Sequence, residues 1–61
     1  MLEDEARREA VRTAVADLQV AEESLGRALI GAEGEELGAL RRGLERVGWQ
    51  REALEHLLAK G

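Results

Sequence analysis

Leu37, Leu40, Leu44, Val47, Leu54 and Leu58 recur at alternating gaps of three and four, with Arg51 standing where one further apolar residue is due. That spacing draws one stripe along one face of a helix. A helix standing alone cannot bury such a stripe, so the chain has to supply a second surface against it. Every reading of this sequence starts from that requirement.

The second surface comes from the first half of the chain. Val11, Ala14, Leu18, Ala21, Leu25, Ala28 and Ala32 follow the same period, flanked by Val15 and Leu29. In heptad terms Val11, Leu18, Leu25 and Ala32 share one seam position, and Ala14, Ala21 and Ala28 share the other. The second position is consistently small, which suits a close antiparallel neighbour. Between the halves, Gly31-Ala32-Glu33-Gly34 breaks the pattern. Gly31 or Gly34 can take the left-handed conformation that ends a helix, and Glu35 and Glu36 supply an acidic first turn for the next. The expected fold is all-α: a two-helix antiparallel hairpin, with helix 1 over about 3–31, the loop over about 31–35 and helix 2 over about 35–59, ending at Lys60 and Gly61.

Size and composition push the hairpin toward association. A 61-residue chain forms one domain at most, and a core that small contributes about 3–5 kcal/mol. The chain has no Cys and one His, which excludes disulfides, thiolate zinc sites and a His-rich metal site within one chain. Oligomerisation is the remaining staple, and a homodimer closing into a four-helix bundle is expected. The self-contact would use Val11, Ala14, Leu18, Ala21, Leu25, Ala28, Leu37, Leu40, Leu44, Val47, Arg51, Leu54 and Leu58. The general build is similar to small dimeric hairpin proteins such as the plasmid copy-number regulator Rop. That likeness is one of architecture, with no shared motif, and the RNA-binding role does not follow from it.

Glycines complicate the second helix. Gly38, Gly43 and Gly48 fall inside it and Gly26 inside the first, each about 1 kcal/mol worse than Ala. Either they permit close backbone approach, or one marks a break near Gly43. No Pro, Asn or Asp accompanies Gly43, so two continuous helices are the expectation.

Charge limits the partners. The formal net charge is −4. Residues 1–34 carry eight acids against four arginines, whereas residues 35–61 carry five of each sign. An acidic chain repels phosphate backbones and anionic membranes on average, which weighs against nucleic acid and membrane partners. The segment Met1–Glu5 is neither basic nor apolar and does not read as a signal peptide. The expected compartment is the cytoplasm. Glu3–Arg7, Asp4–Arg8 and Glu23–Arg27 are spaced for i,i+4 pairing on a solvated face.

Three residues stand out. Arg51 is a charge on the leucine seam, and Glu22 interrupts the stripe of the first helix. In a hairpin closed near residue 33, Arg51 lies level with Val15. An Arg51–Glu22 pair is then expected between chains, where it would fix register, with Asp17 the nearer partner within one chain. Alternatively Arg51 extends its stem to water. Trp49, the sole aromatic residue, points away from the leucine stripe. With Arg42, Arg46, Ala53 and His56 it forms a second face, either a partner site or a tryptophan lying on arginine stems. Glu52 and His56 could ligate one metal, but a surface pair is the simpler reading.

Catalysis finds no support. Ser24 and Thr13 have no His near them in sequence, and no glycine-rich phosphate loop is present. The expected role is that of a non-enzymatic interaction module without cofactor or metal. The alternatives are RNA binding through Arg41, Arg42 and Arg46, or a small non-catalytic subunit of an enzyme complex.

Overall fold

The structure, a computed structural model, describes residues 2–60, with side chains from Asp4 onward. Two helices account for nearly all of it. Helix α1 spans Leu2–Leu29 and α2 spans Gly34–Lys60. They pack against each other as an antiparallel hairpin, with Arg8 near the start of α1 reaching Leu58 near the end of α2. The expected Gly61 terminus lies outside the described residues, and the Glu3–Arg7 pair outside the described side chains.

Local chemistry explains where the helices stop. α1 ends at Leu29, two residues short of the expected Gly31. The chain tightens there, with Ile30 N donating to the Arg27 carbonyl at 3.2 Å and Ala32 N to the Leu29 carbonyl at 3.1 Å. Gly31 then takes φ +82°, a conformation that side chains with a Cβ resist. Gly34 repeats the device at φ +61°. Glu35 and Glu36 face the positive end of the α2 dipole, and Lys60 lies at its negative end.

α2 runs without interruption through Gly38, Gly43 and Gly48, so there is no break near Gly43. Close approach does not require these glycines within one chain. A methyl group built on Gly43 would sit 3.9 Å from Leu25 Cδ1, and on Gly48 3.7 Å from Glu22 Oε1, both ordinary contact distances. On Gly26 it would meet nothing within 4 Å.

The hairpin is long and thin. Its extents are 49 × 15 × 13 Å and its radius of gyration is 14.4 Å, against about 10.5 Å for a compact chain of this length. Val15, 9% exposed, is the one buried side chain among the described residues. The stripe residues Val11, Leu18, Leu25, Leu37, Leu40, Leu44, Val47, Leu54 and Leu58 are only half-buried. Ala14 and Ala21 are half-buried as well, whereas Ala28 is exposed.

Candidate functional site

The clearest constellation of polar side chains is built across the helix pair. Arg51 Nε donates to Glu22 Oε2, and Arg51 Nη1 donates to Glu55 Oε1 at 2.7 Å. The Arg51 and Glu22 side chains are 22% and 26% exposed. Its hydrogen bond to Glu22 holds the Arg51 pKa above its ordinary value, so this guanidinium stays charged throughout the working pH range.

This arrangement corrects the expectation that Arg51 and Glu22 pair between chains. They pair within one chain, and Asp17 lies exposed elsewhere. The physical reason is side-chain tilt. Counted by backbone level, Glu22 sits seven residues nearer the loop than Val15, about 10 Å along the axis at 1.5 Å per residue. Helical side chains lean toward the N-terminus of their own helix. In an antiparallel pair, Arg51 therefore leans toward the loop and Glu22 leans away from it. Two long side chains tilting toward each other close that gap. Glu55, one turn beyond Arg51, adds an i,i+4 contact.

The expected surface pairs of α1 are rearranged. Among the described residues, Asp4–Arg8 and Glu23–Arg27 do not form, and Glu9–Arg12 at 3.0 Å does. Arg8 instead donates to the Leu58 carbonyl at 3.2 Å. That carbonyl belongs to the last turn of α2, where backbone acceptors lack helical partners and attract cations.

The second expected face is present as a surface. Arg42, Arg46, Trp49, Ala53 and His56 are all exposed, and Trp49 is 79% exposed. At 100° per residue these five, with Lys60, fall on the ridge of α2 opposite α1. Arg42 and Arg46 line a shallow open depression with Trp49, rimmed by Glu45 and Glu52. From Arg42 to Lys60 the ridge bears cations, an imidazole and an indole, and Glu35 lies on the same face in the first turn of α2. Glu52 and His56 make no ion pair with each other, and among the described residues no group of three or more His, Cys, Asp or Glu converges as a metal site would. Among the described residues no helix is long and apolar enough to cross a membrane.

The sequence reading missed how the two sides of the hairpin differ. Glu22 faces Gly48 and Leu25 faces Gly43. These two contacts place the Arg8–Val15–Glu22 column of α1 on one side of the contact seam and the Ala14–Ala21–Ala28 column on the other. The first side carries most of the charge, and the second carries less, with Arg7, Asp17 and Glu36 along it. The heptad positions already carried this signal, but assigning them to sides needs the helix–helix contacts. No family model, curated protein or solved structure matches the chain.

Proposed function

We propose that this chain is a non-enzymatic protein–protein interaction module: a helical hairpin that self-associates, most simply as a dimer closing into an antiparallel four-helix bundle. It would act as an adaptor, a regulator or a small subunit. The observation that carries this reading is the near-absence of a core. Among the described residues Val15 is the one buried side chain, while nine further aliphatic stripe residues remain half-buried. Two long helices held mainly by half-covered leucines gain more stability from burying the remainder against another surface. Sedimentation equilibrium of the full chain at low micromolar concentration tests the proposal. A dimer supports it, and a stably folded particle of 6.7 kDa refutes it.

The exposed Trp49 ridge favours a second, separate contact. A large aromatic flanked by Arg42 and Arg46 has the composition of a binding hot spot. A protein partner with an acidic surface suits it best. RNA contacting Arg41, Arg42 and Arg46 is the competing reading, opposed by the net charge of −4. Co-purification from the native host, followed by titration of the captured complex with salt, separates them: RNA binding falls steeply with ionic strength. A captured enzyme would assign the chain instead as a non-catalytic subunit.

A further inference from the structure

The self-association proposed above leaves open which side of the hairpin a second copy covers, and the two sides are chemically unlike. Viewed down the helix pair, the contacts of Glu22 with Gly48 and of Leu25 with Gly43 orient both helices together. At 100° per residue, the side bearing Glu22 also carries Arg8, Arg41, Arg51, Glu52 and Glu55. The side bearing Leu25 presents Ala28, Gly43, Val47, Leu54 and Leu57, with fewer charges among them: Arg7 in line with Leu25, Asp17 beside Ala28 and Glu36 in line with Leu54. Ala28 is exposed there, and Leu57 is 57% exposed.

We infer that the apolar side, from Ala28 at the loop end to Leu57 at the open end, is the surface on which a second copy of this chain docks, related to the first by a two-fold axis. The occupant follows from area. The chain exposes 4930 Å², about 1,000 Å² more than the roughly 3,900 Å² of a compact monomer of its mass. A standard interface buries about 800 Å² on each partner, so one such contact removes most of the excess. The charged side suits this role poorly, because burying Arg51 and its carboxylates strips water from groups that already satisfy each other within the chain. An isologous contact needs a self-complementary patch, and the side with fewer charges has fewer to match across the axis.

Three substitutions test the assignment in the full chain. Ala28→Glu places a carboxylate at the loop end of the apolar side, and Leu57→Lys places an ammonium beside Arg7 and Arg8 at the open end, both at positions exposed within one chain. Gly26→Glu places a carboxylate on the charged side, where an added Cβ meets nothing within 4 Å. Sedimentation equilibrium reads the dissociation constant. If dissociation also melts the hairpin, the concentration dependence of helical circular dichroism reads the same constant. The expected result is a wild-type dimer weakened about tenfold or more by Ala28→Glu and by Leu57→Lys, because each buries an unpaired charge, and changed less than about threefold by Gly26→Glu. A folded wild-type monomer defeats self-association altogether, and this inference with it. A wild-type dimer with any other pattern among the three variants overturns the choice of side while leaving self-association standing.

Discussion

Replacing helical glycines by alanine offers the sharpest test of the hairpin as an energetic object. Gly26, Gly43 and Gly48 lie within helices, and a Cβ at each meets either nothing or ordinary contact distances of 3.9 and 3.7 Å. Alanine there reduces the freedom of the unfolded chain and fits the folded one. Each replacement should add about 0.5–1 kcal/mol. Gly26 and Gly43 flank the same stretch of seam, so full additivity is not expected, and the triple variant should gain roughly 2 kcal/mol. For a domain of this size 1 kcal/mol moves the melting temperature by about 4–8 °C, so the triple variant should melt roughly 8–16 °C higher. Thermal unfolding followed by far-ultraviolet circular dichroism, at several protein concentrations, measures it. A triple variant that melts lower than the parent would refute the reasoning. The sign at Gly43 alone is informative too, since Gly43 lies on the side assigned to a second copy. A loss there with a gain at Gly26 and Gly48 would mean that another backbone approaches Gly43 closely.

Other outcomes follow from the same geometry. Arg51→Leu should lower the melting temperature by leaving Glu22 half-buried and unpaired, and adding Glu22→Leu should recover the loss. A double-mutant cycle by thermal melts reads the coupling, and independent effects would show that the pair contributes nothing. The dimer dissociation constant should be nearly unaffected by Arg51→Leu, because its partners are within the chain. Gly31→Ala should destabilise by about 1–2 kcal/mol in urea unfolding, because φ +82° is disfavoured for an L side chain. Trp49→Ala should change stability by less than about 0.5 kcal/mol, since the indole is 79% exposed. The same variant should abolish capture of any partner that uses the ridge.

The alternating leucines, the heptad alanines and the Gly31–Gly34 interruption were enough to determine two antiparallel helices and their ends to within two residues, because helical period and left-handed glycines are properties of short stretches. The outward position of Trp49 was equally legible, since a helical wheel fixes it from the leucine stripe alone. The partner of Arg51 was not. Counting residues from the loop treats side chains as points on an axis, whereas Arg51 and Glu22 lean in opposite directions along antiparallel helices and meet across about 10 Å. The fate of Arg8 was hidden for a related reason: the Leu58 carbonyl that it finds lies 50 residues away in sequence. The charged and apolar sides likewise emerge only when the helices face each other, since each helix carries both columns. Periodicity assigns a residue to a helix face. Only the rotation of one helix against the other, visible in the Glu22–Gly48 and Leu25–Gly43 contacts, assigns it to a side of the protein.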